Sequence, residues 1–572
     1  MPWLKFRQNL GLGYNDSHRS SFYDRYTQEG KAPTNGKMGK AANIWKSMTL
    51  ESLLTFDKKF GIHYINAVAG LTFEKGQWDN SSTSTTNFPV FATVDSDIAL
   101  GLEKAQLSSD KGKQTLESFL ARVNYTLLDK YIFTASIRSD GSSKFAKGNK
   151  WATFLSGAVA WRASEEDFIK DLNIFSNLKV RLSYGETGNQ GIGSYRTLSI
   201  VEPDSYVFGG VRQQGVAMID WRGRANPDLK WETTSQFNAG LDFGWMDNRL
   251  QLTIDYYYKK TRDLLQNVSM PYSTGYGQYL TNYGHVTNEG LELTVMYDVL
   301  KQSPLKWTVN ANFSMNKNRI GGLDGDQFAT VNWGKADQMF LQRNGCPIGA
   351  IYGYVEDGYF NSVAEVLAFK EYSGLSESEA LKKVGEVKYR DRNGDGYIDS
   401  KDRYIIGDTN PDFTYGITNN FSWREWGLSF MMQGSQGNDI FNGNLLGMEL
   451  QNIGNVTREA YDGRWTPETA AVAKWPKALS GDTRNMLLSD RYVENGSYLK
   501  MKYITLTYNW KHPIQFIERV KLNFTVNNVF CITKYSWMDP DVNAFGDSSR
   551  RGVDMYSYPS SRTYTLGINV IF

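Results

Sequence analysis

Apolar and polar residues take strict turns over many short stretches of this chain. Ala121, Val123, Tyr125 and Leu127 alternate with Arg122, Asn124 and Thr126. Leu250, Leu252, Ile254, Tyr256 and Tyr258 alternate with Gln251, Thr253, Asp255 and Tyr257. Trp307 to Met315, Val520 to Val526 and the ending Tyr564, Leu566, Ile568, Val570, Phe572 follow the same rule. A period of two predicts strands with one apolar and one wet face. The alternation is looser over 3–15, 43–56 and 62–78.

The connections between these stretches alternate in length. Short ones fall near 57–61, 129–130, 164–176, 245–248, 299–306, 424–425 and 511–519. Long ones fall near 16–42, 79–112, 140–150, 187–230, 260–288, 319–411, 435–497 and 529–561. The pattern predicts an all-β fold, a transmembrane antiparallel β-barrel with about sixteen strands, short periplasmic turns and long extracellular loops. Soluble β-sandwiches also alternate in and out. Many stretches here are about ten residues long, as a tilted membrane strand requires. Aromatic residues also gather near strand ends, as in Tyr256-Tyr257-Tyr258, Trp423 with Trp426, and Tyr508 with Trp510, which suits interfacial girdles.

Composition sharpens this picture. At 572 residues the chain exceeds the roughly 250–300 residues at which single soluble cores stop growing. A net charge of +2 gives no basic excess for nucleic acid. Cys346 and Cys531 have no CxxC spacing, which argues against a disulfide scaffold or thiolate zinc site. No apolar run reaches the length of a membrane helix. A barrel needs none, because its backbone is satisfied between strands. It does imply export, and no signal peptide is evident at Met1.

One stretch concentrates the candidate chemistry. Residues 391–402, DRNGDGYIDSKD, match a calcium loop. Asp391, Asn393 and Asp395 offer oxygens at positions 1, 3 and 5, and Gly396 allows the sharp turn. The Tyr397 carbonyl serves position 7, Asp399 position 9, and Asp402 replaces the usual Glu at position 12. The expected role is structural: Ca²⁺ ties down the extracellular insertion 319–411. An acidic turn without metal is the alternative reading. Within the insertion, 363–370 is helix-like, and 377–383 is predicted as a helix capped by Ser376. Segments 187–230 and 443–479 are expected to be irregular.

No GxSxG, HExxH or Walker A pattern is present, so transport or binding is expected rather than catalysis. His18, His63, His285 and His512 are isolated in sequence. The loop aromatics Tyr206, Phe208, Trp221, Tyr276, Tyr279, Trp333, Trp465, Trp475 and Trp537 suit sugar stacking or peptide gripping. They suit loop packing or a partner surface equally well. Trp221, Trp333, Trp465, Trp475 and Trp537 are the substrate candidates.

The stretch 391–442 resembles the SusC/RagA-type TonB-linked outer-membrane proteins. So do PWLKF at 2–6, SDGSSKF at 139–145, RLSYGETGNQ at 181–190, NPDLKWE at 226–232, NEGLE at 288–292 and VENGSYL at 493–499. The resemblance covers the whole chain. It implies a 22-stranded plugged barrel that imports large nutrients, glycans or peptides, across the outer membrane. It also implies a SusD-like surface lipoprotein and the TonB complex as partners. Set against that pattern, the chain is expected to be the C-terminal part of the barrel, without plug domain or signal peptide. Two other readings are a secreted calcium-loop protein that binds carbohydrate, and a passive pore.

Overall fold

The computed structural model describes residues 3–199, 202–217, 224–331, 338–448, 456–478 and 485–572. Among them, sixteen strands form one ladder that follows chain order. These are β1 (Leu4–Tyr23), β2 (Lys37–Phe60), β3 (His63–Thr86), β4 (Gln106–Leu127), β5 (Tyr131–Ser142), β6 (Trp151–Arg162), β7 (Asn177–Asn189) and β8 (Glu232–Trp245). The others are β9 (Leu250–Arg262), β10 (His285–Leu300), β11 (Leu305–Gly321), β12 (Phe413–Trp423), β13 (Trp426–Gln436), β14 (Tyr498–Ile514), β15 (Ile517–Thr533) and β16 (Thr563–Ile571). The number of strands and the alternation of short and long connections agree with the hydrophobic pattern. β1 and β16 are the ends of the ladder.

The chain divides into two compact units. One comprises Met1–Trp161, Leu182–Phe237 and Thr261–Tyr283; the other comprises Arg162–Arg181, Asn238–Lys260 and Gly284–Phe572.

In the first unit, Ala121, Val123 and Tyr125 face Ile137, Ala135 and Phe133 across the β4–β5 ladder. Opposite residues share a face, so this row is apolar. It is also exposed: Val123, Phe133, Ile137, Leu155 and Val159 all project into the surroundings. The reverse face is polar and bonded. Thr134 donates to Asn124 at 2.8 Å, and Ser136 meets Ser156 at 2.5 Å. An exposed apolar face backed by a bonded polar face is the inverse of a soluble sheet and is what lipid outside and a wet lumen require.

β1 to β4 are 20 to 24 residues long, more than the loose N-terminal alternation predicted. The register explains why. On β1 the apolar face reads Leu4, Phe6, Leu10, Leu12 and Tyr14, interrupted by Gln8, then turns to Asp16, His18 and Ser20. Beyond Tyr14 both faces are wet, and a strand with two wet faces leaves little hydrophobic signal.

The second unit repeats the scheme. Leu291, Leu293 and Val295 oppose Met315, Phe313 and Ala311, and Leu522 and Phe524 oppose Ile568 and Leu566. Its polar face carries an ion cluster. Arg181 makes a two-pronged bond to Asp242, both prongs 2.9 Å, and meets Asp255 at 3.1 Å. Gly240 leaves room for it, since a Cβ there would lie 2.5 Å from Asp255 and 2.7 Å from Arg181.

Three long connections of this unit fold together. Residues 322–412 form a small four-stranded sheet (Gln327–Ala329, Phe340–Gln342, Ala350–Gly353, Tyr404–Asp408) and helices Val363–Ala368 and Glu377–Lys383. Asp439–Asn442 pairs with Val493–Asn495 and with Val553–Asp554, so strands from two further connections share one sheet. One core gathers Met339, Phe340, Ile351, Phe441, Tyr492 and Val553, and another gathers Phe360, Tyr372, Val387 and Tyr389. Segment 443–479, expected to be irregular, contains helices Gly443–Met448 and Arg458–Gly463. Segment 187–230 contains a hairpin, Glu202–Phe208 with Val211–Ala217.

Candidate functional site

The long-loop end of the second unit is held by buried charges. Arg491 grips Glu356 through Nε at 2.9 Å and through Nη2, and its Nη2 donates to the Tyr359 hydroxyl at 3.0 Å. Burial alone would weaken the Arg491 charge, but the Glu356 bonds more than restore it. Lys500 and Asp539 pair at 2.5 Å with both side chains nearly enclosed. Burial pulls the Asp539 carboxyl upward, but bonds from Lys500, Ser560 and the Asp541 amide leave it below its ordinary value. The hydrophobic pattern points to neither pair. Both join distant segments, and only the fold brings them together.

Asp541 and Asp547, on the connection that Asp539 anchors, open onto a polar cavity of about 420 Å³. Ser435, Asn438, Tyr498 and Arg551 complete much of its wall. Donors and acceptors surround it, with no nucleophile paired to a base. Such a cavity suits a ligand rich in hydroxyls or amides.

The substrate candidates are distributed differently. Trp465 is 8 % exposed, packed in the Phe360 core, with Nε1 donating to Asn361 at 2.9 Å. Trp475 is 9 % exposed in the Phe441 core, under the Arg491 guanidinium at 5.0 Å. Their ring faces are occupied by protein, so neither offers a face to a ligand. They pack the loops, because large apolar rings in co-folding loops gain most by burial. Trp537 is half-buried. Trp221 and Trp333 lie outside the described residues, and so does the side chain of Tyr206. Phe208 is exposed and Tyr276 half-buried, while Tyr279 carries Arg224 over its ring at 5.7 Å.

The loop 391–402 closes on its own backbone amides. Asp391 accepts from Gly394 and Gly396, each at 2.7 Å, and both glycines hold positive φ. Asp395 accepts from Tyr397 at 2.9 Å and from the Asn393 side chain at 2.9 Å; these bonds lower its carboxyl pKa. Asp399 accepts from Lys401 at 2.7 Å. Asp402 is fully buried and joins the loop's two ends, taking the Arg392 amide at 2.9 Å and the Asp399 amide at 2.8 Å. Each bonded carboxylate oxygen keeps a further lone pair, so the loop would take a hard cation only after its carboxylates drew together. Among the described residues, no three acidic, histidine or cysteine groups are gathered closely enough to hold a metal.

Residues 2–529 match the family described as TonB dependent receptor-like, beta-barrel. The chain belongs to that family. Members of this receptor-like barrel family reside in the outer membrane, which accounts for the exposed apolar rows on both units. The barrel chain is 33 % identical over 615 residues to TonB-dependent receptor P3 of Formosa agariphila, covering 100 % of this chain and 59 % of the relative. It is 32 % identical over 477 residues to TonB-dependent receptor SusC of Bacteroides thetaiotaomicron, covering 80 % of this chain and 44 % of the relative. A solved structure of the RagAB peptide transporter superposes with a TM-score of 0.81 at 22 % identity, over 100 % of this chain and 60 % of that one. The chain thus spans about 60 % or less of the length of these relatives.

Proposed function

We propose that this chain forms wall and extracellular loops of a TonB-dependent importer that carries a large nutrient, an oligosaccharide or a peptide, across the outer membrane. A SusD-like surface lipoprotein covers the long-loop end, and the TonB complex supplies the energy. The observation that supports this best is the one-sided build. The short connections are tight turns, apart from 163–176 with its single helical turn Asp167–Lys170, whereas three long ones co-fold around two hydrophobic cores and border a polar cavity. A passive pore has no need of so much packed structure at one mouth. The SusC and RagAB likenesses point the same way.

The test is uptake by cells carrying the complete transporter. Loss of TonB, or of the proton-motive force, should abolish accumulation of the nutrient that induces the gene. Accumulation that persists without TonB would favour a pore. A tagged form should co-purify with a lipoprotein encoded beside it; recovery without one would remove the partner from the proposal. Within this reading Ca²⁺ sits at Asp391, Asn393, Asp395, the Tyr397 carbonyl, Asp399 and Asp402, and holds the insertion in shape.

A further inference from the structure

On the polar face of the first unit, Trp45 of β2 stands opposite Trp78 of β3, and Trp78 opposite Gly112 of β4. The two indoles are nearly parallel, at 9°, with centroids 6.1 Å apart. Each lies against a glycine of the next strand. A Cβ on Gly76 would meet the Trp45 ring at 2.8 Å, and one on Gly112 would meet the Trp78 ring at 2.0 Å. Trp78 is fixed further by Nε1 donating to Asp110 at 2.7 Å. Tyr195 follows, its centroid 6.4 Å from Trp78. Its hydroxyl accepts from the Lys113 amide at 2.9 Å and donates to the Lys113 carbonyl at 3.3 Å. Three aromatic rings therefore adjoin one another in sequence across the wall, Tyr195 tilted 51° to Trp78, each held by its own contacts. Trp45 remains 39 % exposed.

Beside Trp45 is a small cavity of about 120 Å³, lined by Ser47, Glu74, Gln114, Lys144 and Gln190. We infer that the Trp45–Trp78–Tyr195 row and this polar fringe form a saccharide subsite, binding the pyranose rings of an oligosaccharide by stacking and their hydroxyls by hydrogen bonds. The aromatic face is electron-rich and meets the polarised C–H hydrogens on one side of a pyranose. The sugar's hydroxyls point outward in the ring plane, where the acid, amide, hydroxyl and ammonium groups lie. A peptide bound by strand addition would need a free strand edge for main-chain pairing. The adjacent edge of β4 is closed at two positions: Tyr195 takes both groups of Lys113, Ser143 Oγ accepts from the Thr115 amide at 2.9 Å, and the Ser143 amide donates to the Thr115 carbonyl at 3.0 Å.

The inference rests on the import reading for its ligand supply, and the two fail separately. The detergent-purified complete transporter is titrated with maltohexaose, cellohexaose, xylohexaose and mannohexaose, and with a mixed hexapeptide library, by calorimetry and tryptophan fluorescence. At least one hexasaccharide should bind. Trp45→Ala and Trp78→Ala should each weaken it about tenfold or more, and Trp78→Phe should retain most of the affinity. Gly112→Ala, which displaces the ring without removing it, should also weaken binding. Circular dichroism and the heat-dependent gel shift of a folded barrel should stay as in wild type. Failure of every hexasaccharide to bind, affinity unchanged in both alanine variants, or peptide binding lost with Trp45 would overturn the subsite. Saccharide binding at the row without TonB-dependent uptake would overturn the import reading and leave the subsite standing.

Discussion

At the scale of single residues, the buried ion pairs decide how firmly the loops are held. Asp539→Ala leaves the buried Lys500 ammonium only the half-exposed Asp541 carboxylate at 3.5 Å, and breaking one side of a buried pair costs up to about 3–5 kcal/mol. Hydrogen exchange in 534–562 should accelerate while β14 and β15 stay protected; exchange as slow as in wild type would contradict the role given to the pair. The Asp539 carboxyl is held below its ordinary value of 3.8 in the folded protein. Its contribution is therefore complete above the ordinary carboxylate range and is lost as pH falls through the lowered value. Limited pepsin digestion on descending pH should open 534–562 in wild type only below the ordinary carboxylate range, with no comparable pH step in Asp539→Ala. Little of this was legible in the sequence, where Lys500 and Asp539 are distant single charges. Trp465 and Trp475 show the converse. Their type and loop position were visible, but whether a tryptophan faces a ligand or a core depends on how the loops co-fold.

At the scale of elements, local chemistry carried much of the outcome. Ser376 was expected to cap a helix over 377–383, and it does, accepting from the Glu379 amide while Glu379 reaches back to the Ser376 amide. The hairpin 202–217 carried a signal of its own, Gly209-Gly210 between two strand-like runs, and both glycines hold positive φ in its turn. The loop 391–402 is the element with the most direct test. Calorimetry should find Ca²⁺ bound by wild type and not by Asp395→Ala, and the ion should slow proteolysis between Arg390 and Asp412. Absence of uptake at millimolar Ca²⁺ would leave an acidic turn closed by its own amides. Asp402→Ala should loosen the loop with or without the ion, because that carboxylate alone ties the Arg392 and Asp399 amides together.

At the scale of the whole molecule, the period of two and the connection lengths foretold the ladder, because lipid demands an unbroken apolar face on every spanning strand. They did not foretell the packed cores among the loops, whose contacts join segments far apart in sequence. The apolar face makes its own prediction. Val159→Arg places a charge on the lipid side, at a cost of about 2–4 kcal/mol near the bilayer midplane, whereas Ser136→Arg on the polar face should be tolerated. Folding into lipid vesicles, followed by the gel shift, separates the two; equal loss in both would contradict the assignment of faces.

The exposed apolar rows make this chain outer-membrane barrel wall, and the long loops then lie outside the cell. Thiol labelling in intact cells tests it most directly, using the complete transporter with Cys346 and Cys531 replaced by serine. Tyr397→Cys, exposed in the 391–402 loop, and Gln302→Cys, exposed in the short turn 301–304, are compared with a membrane-impermeant maleimide. Tyr397→Cys should label in intact cells, and Gln302→Cys only after the outer membrane is permeabilised. Equal labelling of both in intact cells, or the reverse order, would contradict this placement.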